Sequence, residues 1–292
     1  MSEAPRPAAG ASSDFVPPWR LRHHHVQTIY PSLPLRRAGV ERRASVLRQA
    51  SRDVIVECGD GVRLLAHVAT QADAGRPPSD RLAVLLHGWE GSAESTYILH
   101  SGRFFFEQGF SVFRLNYRDH GNTHHLNEGI FRAIMLDEVF NAVAKAAGLE
   151  ENVPCHLMGF SLGGNFALRI ARRCSEKPIA NVRHVISVSP VIDPSRATDA
   201  IDHSPLLRYY FLKKWRRSLA LKQERFPHLY DCLLYTSDAA DDLLCVDLGG
   251  RRTIKKKTPV YLLSEYLSHK HIAYIITILY QSTHPRTYRS QS

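Results

Sequence analysis

Gly159-Phe-Ser161-Leu-Gly163 is the stretch of this sequence best suited to carry chemistry. A serine hydroxyl is a weak nucleophile unless its surroundings present and activate it. An apolar run, Pro154 to Met158, comes directly before this serine. A helical pattern follows it, with Phe166, Ala167, Ile170 and Ala171 on one face. A serine at such a strand-to-helix turn adopts a strained backbone, and small residues at Gly159 and Gly163 clear the space it needs. Its Oγ then stands at the carboxyl edge of a sheet, where the helix N-terminus favours developing negative charge. The plainer alternative, a serine that only caps the helix, does not account for the strand in front of it.

Attack on a carbonyl creates an oxyanion, which needs amide donors. The residue after the nucleophile, Leu162, supplies one backbone N–H. A second comes from the loop after the third strand. That loop is His87-Gly-Trp-Glu-Gly91, which follows the apolar run Leu82 to Leu86, so Trp89 N–H is the candidate. Losing one such donor costs about 3–4 kcal/mol of barrier. Asp119, His120, His124, His125 and Glu128 cluster farther on, in a spacing that matches no familiar metal-ligand set. They read as a loop held by its own polar contacts. His23-His-His25 reads as an ordinary loop, and His156 and His184 as hydrogen-bonded residues of strands. No metal and no cofactor is expected.

The elements that position these residues follow from periodicity. Val54 to Cys58 and Leu64 to Val68 flank Gly59-Asp-Gly61, a strong hairpin signal. Leu82 to Leu86 suits a strand buried on both faces. A helix is expected over Ser95 to Gln108 and a strand over Phe110 to Leu115. Leu136, Val139, Phe140, Val143, Ala144 and Ala147 mark an amphipathic helix stopped by Gly148. Leu162 to Cys174 is a further helix and Val182 to Val188 a further strand. Alternation at this spacing predicts an α/β fold with a mostly parallel sheet flanked by helices. The organisation expected is an N-terminal arm over 1–50, irregular and Pro- and Arg-rich over 16–50, a core over 51–231 with a lid-like segment at 196–231, and a separate tail over 232–292.

Bulk properties exclude several other classes. The 292 residues are 44% hydrophobic and 23% charged, as in ordinary globular proteins. The formal charge is +10, but no aromatic-interleaved basic stripe, zinc-ligand spacing or helix-turn-helix pattern accompanies it, so a nucleic-acid partner is not expected. A basic surface facing anionic lipid or an acidic substrate accounts for the charge equally well. The five cysteines form neither a disulfide framework nor a C-x-x-C pair. Met1 to Phe15 lacks the pattern of a secretory signal, and Ile272 to Tyr280 is too short to span a bilayer. The expected location is cytoplasmic.

Three separated blocks together resemble the α/β-hydrolase superfamily: His87-Gly-x-Glu-Gly91; Asn116-Tyr-Arg-Asp-His-Gly121 with His124-His-Leu-Asn-Glu128; and Gly159-Phe-Ser-Leu-Gly-Gly-Asn165. More narrowly they resemble bacterial predicted hydrolases related to eukaryotic abhydrolase-domain lipases, whose leader is similar to Arg22-His-His-His-Val-Gln-Thr28. The resemblance covers about 20 to 231. It implies hydrolysis of carboxylic esters, with acylglycerols or short acyl esters as the substrate class and Ser161 as the acylated residue. The alternative is a non-catalytic protein of the same fold that binds a small ligand. Arg208 to Lys222 mixes aromatic and basic residues where such folds insert a lid, and an amphipathic lid meeting acyl chains or a lipid surface is expected there.

The chain order Ser, acid, His is not completed. Cys232 to Asp241 resembles one translated frame of a sequencing-library adapter, and Cys245 to Ile254 resembles its far end. The competing reading is a divergent C-terminus whose triad draws on Asp247 and His269, His271 or His284. Under the adapter reading the triad acid and histidine are missing. The chain as written is then expected to be unstable and inactive.

Overall fold

The computed structural model describes residues 16–230 apart from 24, 25, 27–29, 31–33 and 150–152. The tail at 232–292, with its adapter-like blocks and its alternative triad residues, lies outside the described residues, as do His24 and His25.

Strand β1 (Ser51–Glu57) and strand β2 (Arg63–Ala69) pair antiparallel, with Val56 opposite Leu64. Their connection is the expected tight turn. Asp60 and Gly61 both take left-handed φ, 51° and 73°, and Val62 N–H donates to the Gly59 carbonyl at 2.9 Å. That mirror-image turn matches the right-handed twist of the strands it joins. The remaining strands are β3 (Leu82–Leu86), β4 (Ser111–Asn116), β5 (Cys155–Phe160) and β6 (Val182–Val188). They form one sheet in the order β1-β2-β4-β3-β5-β6, and the pairs β3·β4, β3·β5 and β5·β6 are parallel. Every residue of β3 and β4 is buried, because helices cover both faces there.

One face carries helix α4 (Leu136–Ala147) and helix α5 (Leu162–Arg173). Val139, Phe140, Val143, Phe166, Ala167 and Ile170 pack there with Val84, Leu86, Leu157 and Val185. The other face carries helix α3 (Thr96–Glu107), whose Ile98 and Phe106 join Leu85 and Val112. This is the predicted α/β architecture.

The arm departs from its expectation. Residues 34–49 are not irregular: they form helix α1 (Pro34–Arg43) and helix α2 (Ser45–Gln49). Val40, Ala44 and Leu47 are buried, and Leu47 joins the α3-side cluster. Their spacing of four and three residues is helical, but five arginines between Arg36 and Arg48 mask it. Three further helices close the described chain: α6 (Pro194–Asp202), α7 (Pro205–Arg225) and the single turn α8 (Pro227–Tyr230).

β3 has β4 on one side and β5 on the other, so successive strands are added in opposite directions from it. In open α/β sheets the crevice outside the carboxyl ends of strands at such a switch point is where ligands bind. The loops leaving β3 and β5 carry His87 to Gly91 and Ser161.

Candidate active site

Ser161 is the N-cap of α5 and takes φ 53° and ψ −114°, a conformation that L-residues enter only when the surrounding structure enforces it. The enforcement is visible. Its N–H donates to the Val188 carbonyl at 2.9 Å, and its carbonyl accepts from Asn165 N–H at 3.0 Å and Val191 N–H at 3.3 Å. A Cβ on Gly159 would run into the Gly163 carbonyl, and one on Gly163 into the carbonyls of Leu86 and His87. Only glycine lets the first turn of α5 lie this close to β3 and β5. The Ser161 side is exposed, not sunk in the core. Left-handed φ values also occur at Glu90, at Asp119 and Asn122, and at Ser189, so each of the other three loops at this edge of the sheet holds at least one. Such strain gathers at functional edges.

The β3 loop lies against the serine: a Cβ on Gly88 would stand 3.2 Å from Ser161 Cβ. Gly88 N–H donates to Tyr97 Oη at 2.9 Å. The Gly88 carbonyl accepts from Gly91 N–H at 3.0 Å and from His87 Nδ1 at 2.7 Å. Across a trans peptide the C=O and the following N–H point in opposite directions. Holding that carbonyl with two donors therefore turns Trp89 N–H to the opposite side of the loop. Leu162 is the first residue of α5, so its N–H has no carbonyl one turn back. Trp89 and Leu162 thus offer amides from two segments that touch at Gly88 and Ser161.

Two buried histidines brace the loop. His87 Nε2 accepts from Tyr117 N–H at 3.3 Å, so Nδ1 carries the proton that goes to Gly88. His120 repeats the arrangement: Nδ1 donates to the Arg118 carbonyl at 2.7 Å, and Nε2 accepts from Glu90 N–H at 3.2 Å. Burial holds the His87 pKa well below the usual value and that of His120 at about 4, so both are neutral near pH 7. With both nitrogens engaged, neither serves as a base for Ser161. Glu90 is raised to about 7, chiefly by burial; Lys214 opposes the rise and Asp119 adds to it.

Helix α7 closes over these loops. Phe211 stacks on Trp89, with centroids 4.9 Å apart and planes 7° from parallel, and Lys214 Nζ donates to the Glu90 carbonyl at 2.8 Å. Lys222, fully buried, donates to Asp119 Oδ1 at 2.8 Å and to the carbonyls of His124 and Asn127. His124 Nε2 meets Ser218 Oγ at 2.8 Å. The 119–128 loop is therefore held as much by α7 as by its own polar groups. Helix α7 buries Leu212 and Lys222, while Leu206, Tyr209 and Tyr210 face outward. His156 and His184 stack on adjacent strands with their Nδ1 atoms 3.0 Å apart. Among the described residues no group of three or more His, Cys, Asp or Glu could hold a metal ion. Tyr97, Lys214 and Lys222 had no sequence signal, because their partners lie 9, 124 and about 100 residues away. His87 and His120 were visible inside motifs, though not as braces.

The family model described as serine aminopeptidase, S33, matches residues 77–247, more than half of the chain. The chain belongs to this hydrolase family. It is a member of the α/β-hydrolase superfamily, and the matched span runs on to residue 247, beyond the described residues. No curated protein sequence matches this hydrolase. Among solved structures it is similar to Est1E from Butyrivibrio proteoclasticus with ferulic acid bound, at 20% identity and TM-score 0.41, covering 50% of this chain and 56% of that one. An esterase of Pyrococcus furiosus is 20% identical with TM-score 0.45, over 56% of this chain and 60% of that one. An esterase of Pyrobaculum calidifontis is 19% identical with TM-score 0.42, over 58% and 54%. The hydrolase thus spans between half and two-thirds of the length of these proteins.

Proposed function

We propose that the protein is a serine hydrolase of carboxylic esters that works through an acyl-enzyme on Ser161. The observation that carries this reading is the enforced left-handed Ser161 at the head of α5, packed against Gly88. In the mechanism, Ser161 Oγ attacks the ester carbonyl carbon as its proton passes to a histidine base. The carbonyl oxygen becomes an oxyanion that accepts from Trp89 and Leu162 N–H. Collapse expels the alcohol with a proton from the same histidine, and water then releases the acid from the serine. The substrate is a small acyl ester or a lipid ester. None of these steps calls for a metal or a cofactor.

The triad acid and histidine are not assigned to any described residue. In our reading the adapter-like tail replaces them, and the 292-residue chain is inactive. The uninterrupted gene product is the active form, and resequencing the locus across codon 232 tests that directly. The catalytic test uses the gene product against p-nitrophenyl acyl esters and aminoacyl p-nitroanilides. Ester turnover that falls about a million-fold in Ser161→Ala supports the proposal. Turnover of the anilide alone would contradict ester specificity. Saturable ester binding without turnover would favour the non-catalytic alternative.

A further inference from the structure

Helix α7 departs from the usual rule for a surface helix, in which apolar residues face the core and charges face water. It buries Lys222 beside Leu212, and it exposes Leu206, Tyr209 and Tyr210 among its outward cations. The departure is not slack packing. The Lys222–Asp119 ion pair, the Lys214 bond to Glu90 and the Phe211–Trp89 stack fix the helix in rotation from both ends. With the inward side so committed, the outer side is fixed as well. Leu206, Tyr209 and Lys213 follow one another at three- and four-residue steps along it, and Arg217 continues the row. All four are exposed.

The same helix carries seven Lys and Arg against one carboxylate, Glu224. Helix α6 adds Arg196, Asp199 and Asp202, and its N-cap adds Asp193; together these leave residues 193–230 with eight basic and four acidic side chains, or +4. Lys213 lies over the Tyr209 ring at 5.9 Å and Lys214 over the Tyr210 ring at 4.9 Å. Beside the serine, Ile192 is 55% exposed in the loop whose Val191 N–H bonds the Ser161 carbonyl. Apolar and tyrosine side chains among cations on one outward face match the chemistry of an anionic lipid surface. Tyrosine seats its ring at the headgroup level with its hydroxyl wet. Leucine and isoleucine enter the acyl boundary, and long cationic side chains reach back to the phosphates. An acidic soluble protein would use the cations but leave the outward apolar side chains unexplained.

We propose that the outer face of α7, together with the Ile192 loop, docks the protein on an anionic bilayer with Ser161 toward the membrane. Docking rests on the geometry of α7 and not on turnover, so vesicle binding and ester hydrolysis fail independently.

The test is flotation of the uninterrupted gene product with vesicles of phosphatidylcholine and phosphatidylglycerol at 7:3, and with pure phosphatidylcholine. Binding to the anionic vesicles is expected to be at least tenfold tighter and to be lost at 0.5 M NaCl. Each cation near the surface contributes about fivefold, so Lys213→Glu with Arg217→Glu should weaken binding more than tenfold. Leu206→Ser with Tyr209→Ser should weaken it comparably, with unchanged circular dichroism. Arg172→Glu with Arg183→Glu makes the same charge change on exposed residues elsewhere and should cost far less. Equal binding to both vesicle types would overturn the proposal. So would equal effects of the α7 and control reversals, which would assign binding to overall charge. Loss of a lipid-free dimer in the α7 variants, with vesicle binding intact, would assign the face to a second copy instead.

Discussion

At the scale of single residues, the site depends on how closely backbones approach. Gly163 allows the first turn of α5 to lie against the Leu86 and His87 carbonyls. Gly163→Ala must push that turn away from β3 or shift the His87–Gly91 loop, whose Trp89 N–H is the second proposed oxyanion donor. We predict a loss of at least about a hundredfold in ester turnover, the cost of one displaced oxyanion donor, together with a lower Tm by calorimetry. Glu90 gives a pH prediction. Its carboxyl is raised to about 7 in the fold, chiefly by burial, from an ordinary value of 4.5. Between those values the folded state binds more protons than the unfolded state, so this group's contribution to stability falls as pH rises. Glu90→Gln should therefore gain stability over the parent progressively from pH 4.5 to 7 and hold a constant advantage above. His120 works in the opposite sense: its folded pKa is about 4, below the ordinary 6.5, so its stabilising contribution is lost as pH falls through that window. Tm measured across pH 4 to 8 in both proteins separates the two, because the substitution removes only the first.

At the scale of elements, α7 is fastened by a buried ion pair. Lys222 and Asp119 side chains are 0% and 2% exposed. Removing one partner of such a pair leaves an uncompensated buried charge and costs about 3–5 kcal/mol. Lys222→Met should lower stability by that order in urea unfolding, and Lys222→Met with Asp119→Asn, which removes both charges but keeps a residue suited to the left-handed φ and an acceptor for Phe131 N–H, should recover much of it. If the double variant proved as unstable as the single one, the pair would not be what fastens the helix. The strands, their order of appearance and the α3, α4 and α5 helices were legible because periodicity reports burial directly: Leu82 to Leu86 is apolar throughout and buried throughout. The serine turn was legible because Gly159, Ser161 and Gly163 are local to it. Helices α1 and α2 were not, since arginines hide the Val40, Ala44, Leu47 stripe. The inward turn of Lys222 was not legible either. A lysine in sequence looks like a solvated charge, and only the fold brings Asp119 to it.

At the scale of the whole molecule, the loops after β3, β4, β5 and β6 meet at one edge of the sheet, and α7 braces two of them. Among the described residues no helix is long and apolar enough to cross a membrane. In the proposed reaction this edge presents Ser161 as the nucleophile. The most direct measurement is labelling of the uninterrupted gene product by a fluorophosphonate probe, with the modified peptide located by mass spectrometry. Stoichiometric labelling is expected at Ser161, with none in Ser161→Ala and none in the 292-residue chain. A folded gene product that resists the probe, or carries the label on another serine, would rule out Ser161 as the nucleophile.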